Sequence, residues 1–214
     1  MKQIMTVFVL IAALFLAGCG QAAAPDGLVE ENGSVENGAE ENGMISSGPT
    51  MGRVSEPILV DGSTTGYPSP AIEAMGGIIH LAHDGEILYL HLELDVQGWV
   101  SVGFNRPGGG MDGANMIIGY LDGDSPAFRD DVGLGRNHSE ASVSAVKDFY
   151  IKYDDGAVTM ELSYPLVFPE GQEYDVTGLI PGQSYILIYA AHNSSNDIDR
   201  NHSVRGSVDF TVEP

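Results

Sequence analysis

From residue 58 to its end, the chain is built of short segments in which apolar and polar residues alternate. In residues 86–94, leucine recurs at every second position from residue 88, and Tyr89, His91 and Glu93 occupy the positions between the leucines. A period of two indicates a β-strand with one buried face, and it excludes an amphipathic helix, whose period is about 3.6. This pattern therefore predicts a half-buried strand with His91 on the solvent side or in a cross-strand pair.

Further strands are predicted by the same alternation or by a short apolar run. They cover residues 98–104, 115–121, 149–153, 157–164, 184–191 and 207–212. Asp-Asp-Gly at 154–156 separates two of them and predicts a hairpin turn. Many short strands with turn signals between them predict an all-β fold, an immunoglobulin-like antiparallel β-sandwich, over residues 56–214.

The N-terminal residues form a different kind of segment. Lys2 precedes an apolar stretch that ends in Leu-Ala-Gly-Cys at 16–19, and the stretch is short for a membrane span. This predicts a lipoprotein signal peptide over residues 1–18 and lipidation of Cys19, the single cysteine. The alternatives are an ordinary secretory signal and an uncleaved anchor. Two or three acyl chains anchor a protein stably, so the domain is expected outside the cytoplasm, on the cell surface or the periplasmic face of a membrane.

An acidic, Gly- and Asn-rich segment follows over residues 19–55. A Glu-Asn-Gly unit occurs three times in it, at 31–33, 36–38 and 41–43. Such a composition cannot bury enough apolar surface to offset chain entropy, and its charges repel one another. We therefore expect a disordered linker that is dispensable for folding.

Charge and missing motifs exclude several classes of function. The chain has 9 Lys and Arg against 30 Asp and Glu, a net charge of −21, which excludes nucleic acid as a partner. One cysteine excludes a disulfide framework, an all-Cys zinc site and an iron–sulfur cluster. The sequence also lacks G-x-S-x-G, H-E-x-x-H and a P-loop, which argues against a hydrolase. The domain is not expected to be an enzyme on its own.

Calcium is a weaker alternative. Asp197, Asp199 and Asn201 have the spacing that begins an EF-hand loop, but His202 replaces the required glycine and Val208 replaces the bidentate Glu. A looser Ca²⁺ or Na⁺ site built from loop carboxylates remains open. Its other candidates are Asp122, Asp124, Asp130 and Asp131.

Two histidines and one methionine stand in unusual surroundings. His192 and His202 bracket a polar loop between two apolar strands, and Met111 lies in a Gly-rich loop with little core to fill. The other histidines lie in or beside strands or in a Gly-rich loop, where ordinary structural roles are expected: His80, His83, His91 and His138.

Four motifs in order resemble a DOMON domain. They are Gly-Trp-Val-Ser-Val-Gly-Phe at 98–104, Gly-Gly-Met-Asp-Gly-Ala-Asn-Met-Ile-Ile-Gly-Tyr at 109–120, Tyr-Ile-Leu-Ile-Tyr-Ala-Ala at 185–191 and His-Ser-Val-Arg-Gly-Ser at 202–207. The resemblance covers about residues 57–212. It implies an immunoglobulin-like sandwich that binds haem or sugar. Redox members hold a b-type haem between a Met and a His, which match Met111 and His202 here.

The resemblance also implies roles for nearby residues. Arg205 would pair with a haem propionate, or else form a surface ion pair, and His192 is the reserve iron ligand. An apolar slot for the porphyrin would be lined by Phe104, Met116, Ile118 and Tyr120, whose alternative place is the sandwich core. Filled axial positions imply electron transfer rather than oxygen activation.

Three functional hypotheses follow. The first is a membrane-anchored DOMON domain that binds haem b and passes electrons to a membrane or periplasmic redox partner. The second is a haem-free module that binds sugar or another small ligand at the cell surface. The third is a subunit that stabilises a larger membrane redox complex.

Overall fold

The computed structural model describes residues 48–68, 71–168, 175–176 and 178–214. These residues form strands, turns and loops, and none of them belongs to a helix long and apolar enough to cross a membrane. The predicted signal peptide, Cys19 and the linker as far as residue 47 lie outside the described residues.

Twelve strands make up the described part of the chain. They are β1 (Thr50–Arg53), β2 (Ile72–Ala74), β3 (Gly77–His83), β4 (Ile87–Leu94), β5 (Val100–Asn105), β6 (Asn115–Asp122), β7 (Ser125–Leu134), β8 (Asn137–Glu140), β9 (Asp148–Asp154), β10 (Ala157–Pro165), β11 (Ser184–Ala191) and β12 (Val204–Val212).

The strands form a two-layer β-sandwich, which confirms the predicted fold class. Sheet 1 has the order β8-β7-β6-β5-β11-β12. Sheet 2 has the order β3-β4-β10-β9, with β2 paired to β3. Neighbours within each sheet are antiparallel, whereas β1 pairs in parallel with both β12 and β3 and so joins the two sheets.

The inner faces of the two sheets form one apolar core. Alternating positions of β5 place Val100, Val102 and Phe104 there, and the ring centroid of Phe104 lies 6.1 Å from that of Phe210 on β12. Phe104 therefore belongs to the core and is not available to line a ligand slot. Sheet 2 contributes the leucines of β4 from the opposite side.

Strand β1 lies inside the segment whose composition predicted a linker over residues 19–55. Met51 is fully buried in the core. It pairs with Val212 on β12, and the next residue, Gly52, pairs with Ala82 on β3. The folded domain therefore includes residues from at least Gly48. A four-residue strand between polar residues has too little periodicity to be recognised in the sequence.

Strand β4 is buried on both faces, so the prediction of a half-buried strand is wrong for its outer side. His91 is 1% exposed and Tyr89 is 4% exposed. Residues 54–68 cover this face: Ile58 packs with Ala82 and Tyr89 in a second apolar cluster. Burial here depends on a covering segment remote in sequence, which the periodicity of β4 cannot reveal.

The predicted hairpin between β9 and β10 is present. Asp155 and Gly156 connect the strands, with φ angles of 47° and 91°. Positive φ at both central positions suits the twist of a two-residue β-turn and explains the Asp-Gly sequence. The hairpin β7–β8, by contrast, was not predicted, and it moves His138 from the expected loop onto a strand.

Candidate functional site

A cavity of about 580 Å³ lies on the outer face of sheet 1. Because side chains alternate along a strand, the residues between the core positions of β5, β6 and β11 point away from the sandwich interior. Ser101, Ile118 and Ala190 occupy such positions and are neighbours in register. The lining also includes Trp99, Met111, Met116, Arg129, Arg136, Asn137, His138, Ile188, Tyr189, Asp199, Arg200, Asn201, His202 and Arg205.

The floor of the cavity is apolar. Met116 is 7% exposed and Ile118 is 2% exposed, although neither belongs to the core between the sheets. They are therefore covered by the loops that wall the cavity rather than by the opposite sheet. An apolar floor with a few polar groups around it is the usual construction of a small-molecule site, and the volume lies within the common range of roughly 300–1,000 Å³.

Met111 reaches the cavity from the loop between β5 and β6. Asn105 Nδ2 donates to the carbonyl oxygens of Gly110 and Asp112, at 3.0 and 2.8 Å, and so holds the loop on both sides of Met111. The loop also pairs with β7, where a Cβ at Gly133 would overlap the Met111 carbonyl oxygen. This close approach explains the glycine and fixes the backbone that carries Met111.

His202 reaches the same cavity from the loop before β12. The Ser203 amide donates to the carbonyl of Ala191 at 2.8 Å, and the Trp99 amide donates to the carbonyl of Ser195 at 2.9 Å. The loop is thus pinned to β11 and to the start of β5. Met111 and His202, which lie far apart in the sequence, line one cavity.

His192 has a different place. It does not appear in the cavity lining, and its Nδ1 accepts hydrogen bonds from the amides of Ser194 and Ser195 at 3.2 and 3.0 Å. Its ring holds the turn that begins the loop. Arg205 does line the cavity, from the second position of β12, opposite Ala190.

A buried carboxylate supports one wall. Asp131 is fully buried and accepts two hydrogen bonds from Arg129, both at 2.6 Å, while Nδ1 of His138 lies 2.5 Å from its Oδ2. Burial alone would raise the pKa of Asp131, but the bonds from His138 and Arg129 outweigh it and hold that pKa below its usual value. Arg129 and His138 therefore stand in fixed orientations at the cavity wall.

One polar atom at the cavity has no partner. Trp99 is 6% exposed, and its Nε1 is buried without a hydrogen bond among the described residues. Burying an N–H donor unpaired costs about 1–3 kcal/mol. Because this nitrogen has almost no accessible surface, a ligand in the cavity would reach it only if neighbouring side chains moved.

The carboxylates that are candidates for calcium binding do not form a shared site, and two of them bind other protein groups. Asp130 accepts from the amide of Ala145 at 2.7 Å, and Asp131 binds Arg129 and His138. Within the described residues, no three His, Cys, Asp or Glu side chains are grouped so as to hold a metal ion. A thioether and an imidazole facing one cavity are instead the donors that a porphyrin iron takes, so the residues present fit haem.

The wall formed by β7 and β8 is not predicted by the sequence. Arg129, Arg136 and His138 all come from this hairpin, although the sequence favours an ordinary structural role for His138. Alternation within residues 125–134 was the available signal, but it is weak because Asp130 and Asp131 are charged and buried on opposite faces of β7. Tyr120, expected in the slot, does not appear in the lining.

No protein-family profile matches the sequence. Among solved structures, the cytochrome b domain of pyranose dehydrogenase from Coprinopsis cinerea aligns at 13% identity and a TM-score of 0.44, over 63% of this chain and 75% of that one. The cytochrome domain of Myriococcum thermophilum cellobiose dehydrogenase aligns at 12% identity and a TM-score of 0.43, over 62% and 72%. A family 9 carbohydrate binding module from Caldicellulosiruptor kristjanssonii, in complex with cellotriose, aligns at 9% identity and a TM-score of 0.45, over 77% and 93%. These neighbours are cytochrome and carbohydrate-binding domains, not catalytic domains.

Proposed function

We propose that this protein is an extracytoplasmic, membrane-anchored DOMON domain that binds b-type haem in the cavity on sheet 1 and transfers electrons. The observation that carries the proposal is the meeting of Met111 and His202 at one cavity with an apolar floor. Both residues were candidates by resemblance alone, and the fold brings their two distant loops to the same place.

Five lining residues have a task in this proposal. Met111 and His202 would hold the haem iron, and Met116 and Ile118 would exclude water from the porphyrin. Arg205 would pair with a propionate. When bound, haem iron held by a thioether and an imidazole exchanges single electrons, and the Met ligand raises its potential.

The proposed location rests on the N-terminal sequence. Cleavage before Cys19 and acylation of its thiol would tether the domain to a membrane face, on the cell surface or in the periplasm. A membrane or periplasmic redox protein is then the proposed partner. The domain carries electrons and has no catalytic role of its own in this proposal.

Visible spectroscopy of the purified full chain tests the proposal. Wild type, oxidised and then reduced with dithionite, should show the sharp Soret and α bands of low-spin haem. His202→Ala should abolish this spectrum because the imidazole is lost, and Met111→Ala should leave high-spin, five-coordinate haem of lower potential.

His192→Ala is the matched control. It removes a second imidazole from the same loop, and the wild-type spectrum should persist. If the Met111 and His202 variants keep the wild-type spectrum while His192→Ala loses it, the ligand assignment is wrong. A wild type that takes up no haem contradicts the redox proposal.

A haem-free sugar-binding module is the second candidate. The observation that favours it is the mixed lining of the same cavity, which contains Asp199 and Asn201 as well as Tyr189 and Trp99. Amide and carboxylate groups bind hydroxyls, and aromatic rings pack on the apolar faces of sugars. Calorimetry with neutral and acidic saccharides would then give binding in a protein without Soret absorption.

A further inference from the structure

The covering segment, residues 54–68, lies on the outer face of sheet 2 without being part of the sheet. It contains no strand, and its first residue, Val54, donates its amide to the carbonyl of His83 at 2.8 Å. Further along, Glu161 of β10 accepts from two amides and one hydroxyl of the segment. Because the segment is held by side chains rather than by strand pairing, its detachment would leave the pairing of sheet 2 intact.

Two histidines lie under this segment with ring nitrogens that have no partner. His80 on β3 and His91 on β4 are opposite each other in register, with ring centroids 6.0 Å apart. The ring of Tyr67, from the covering segment, lies 5.7 Å from that of His80 and 6.0 Å from that of His91. His91 is 1% exposed, and among the described residues neither of its ring nitrogens nor Nδ1 of His80 has a hydrogen-bond partner. An imidazolium here would have neither water nor an acceptor for these N–H groups.

These two histidines are the groups near the segment whose ordinary pKa lies between pH 5 and 8. The other titratable or charged groups on the elements around them are Asp61 and Tyr67 of the segment, Glu161 of β10, Tyr89 and Glu93 of β4, Glu73 of β2, and Tyr150 and Lys152 of β9.

Burial makes the two histidines and Glu161 respond to acid in opposite directions. It lowers the pKa of His80 and lowers that of His91 to about 4, so proton uptake by either imidazole favours a form in which water reaches the rings. Burial raises the pKa of Glu161, so proton uptake by this carboxyl favours the closed form. The histidines have the higher ordinary pKa and therefore act first as the pH falls from 7.

We infer that residues 55–68 are an acid-released cover: protonation of His80 and His91 detaches them and exposes the outer face of sheet 2 while both sheets remain folded. Detachment admits water to the two imidazoles and uncovers Ala82 and Tyr89, on which Ile58 packs in the closed form. This face belongs to the sheet opposite the cavity, so the inference does not depend on what the cavity binds.

Hydrogen exchange of the full chain measures the opening. The amides of Asp61 and Gly62 report on the covering segment, because they are bound to Glu161 when it is closed. The amide of Leu90 reports on global unfolding, because β4 is paired on both sides. At each pH, the opening constant of the two reporter amides should exceed that of Leu90. It should also depend little on added urea, since local opening exposes little surface.

The pH dependence of this opening constant identifies the histidines. From pH 7 to pH 5.5, after correction for intrinsic amide exchange, the constant should rise about eightfold through His91, whose pKa changes from about 6.5 in the open form to about 4 when closed. His80 should increase the rise further. Glu161→Gln removes the opposing carboxyl, so this variant should be more open at every pH and should show a larger rise.

Glutamine variants connect the rise to the two imidazoles. His80→Gln and His91→Gln should each reduce it, and the double variant should abolish it, since glutamine does not titrate. His192→Gln is the matched control, because it removes an imidazole from a loop beside sheet 1 and should leave the rise unchanged. Thermal unfolding checks that each variant is folded. Should a variant not fold, the comparison of the reporter amides with Leu90 in the wild type still decides.

Two results would overturn the inference. If Asp61 and Gly62 exchange through the same opening as Leu90, with the urea dependence of global unfolding, the segment leaves only when the domain unfolds. If the local opening is equal at pH 7 and 5.5, or still rises in the double variant, the histidines do not control it. A local opening that grows in acid in the wild type and in His192→Gln, but not in the double variant, supports the inference.

Discussion

At the scale of single residues, His91 is a titratable group in an environment that opposes its charge. Its side chain faces His80 across the β3–β4 pair, with ring centroids 6.0 Å apart, and Tyr67 lies over both. Neither ring nitrogen of His91 has a hydrogen-bond partner among the described residues. Burial, with a smaller contribution from His80, lowers the pKa of His91 to about 4.

This depressed pKa predicts a loss of stability in acid. The unfolded chain binds a proton at His91 near its ordinary pKa while the folded chain does not, so stability falls as the pH drops below about 6.5 towards 4. Burial raises the pKa of nearby Glu161, which acts in the opposite direction. The comparison with a His91→Leu variant isolates the histidine.

Between about pH 7 and pH 4.5, the free energy of unfolding of His91→Leu should rise relative to wild type by about 2 kcal/mol. Urea unfolding at a series of pH values measures the difference. Curves for the two proteins that run parallel over this range would show that His91 does not titrate as described.

Glu161 is a second buried charged residue with a structural task. The residue is fully buried on β10, where Oε2 accepts from the amides of Asp61 and Gly62, at 2.8 and 2.6 Å, and Oε1 accepts from the Tyr67 hydroxyl at 2.9 Å. One carboxylate therefore fastens the covering segment 54–68 onto the outer face of sheet 2 at two places, residues 61–62 and Tyr67.

Replacing this carboxylate should loosen the cover. Glu161→Leu leaves two amides and one hydroxyl without their acceptor and should cost about 3 kcal/mol in the free energy of unfolding, whereas Glu161→Gln keeps one acceptor and should cost less. Glu93 is exposed on the neighbouring strand β4, so Glu93→Gln should change the free energy of unfolding by about 0.5 kcal/mol or less. Urea unfolding of the three variants gives the order, and a Leu variant as stable as the control would refute the role.

At the scale of elements, β1 joins the two sheets. Its first half pairs with β12 and its second half with β3, both in parallel. The strand therefore closes one side of the sandwich, and Met51 anchors it in the core. The opposite side, where β7 approaches β9, is held by the ring of Phe128 against that of Phe149, with centroids 4.8 Å apart.

Met51→Ala should show how much β1 contributes. Removing a fully buried Met side chain typically costs about 2–5 kcal/mol, because the lost burial is compounded by a cavity. Thr50→Ala changes the exposed neighbour on the same strand and should have an effect of about 0.5 kcal/mol or less. Chemical denaturation measures both. A small effect of Met51→Ala would contradict the conclusion that this side chain anchors β1 in the core.

At the scale of the whole molecule, the acidic surface and the proposed lipid anchor have to work together. A net charge of −21 disfavours contact with anionic lipid, so the domain would stand off a membrane while its N-terminus holds it there.

Acylation of Cys19 is testable in the producing cell. Metabolic labelling with a palmitate analogue should mark the wild-type protein and should not mark Cys19→Ala, since the chain has no other thiol. Gly20→Ala keeps the cysteine and should still be labelled. Label on the Cys19→Ala protein would contradict the lipoprotein prediction.

Local pattern was sufficient for much of the fold. The strands β4, β6, β9, β10 and β11 were predicted to within one or two residues, because alternation and turn residues are properties of neighbouring positions. The same holds for the Asp-Gly turn after β9. Met111 and His202 are likewise candidates from short motifs that resemble DOMON domains, and those motifs carry no information on the distance between the two residues.

Other features exist only because remote segments meet. His91 is buried because residues 54–68 cross its strand, and the linker-like segment around Met51 is a strand because β12 and β3 lie on either side of it. The charge of the cavity arises in the same way, since Arg136 on the β7–β8 turn and Arg205 on β12 come to one face only when sheet 1 is assembled. Periodicity records which side of a strand is apolar, but burial and charge at a site depend on what packs against that side, and this was decided by the tertiary structure.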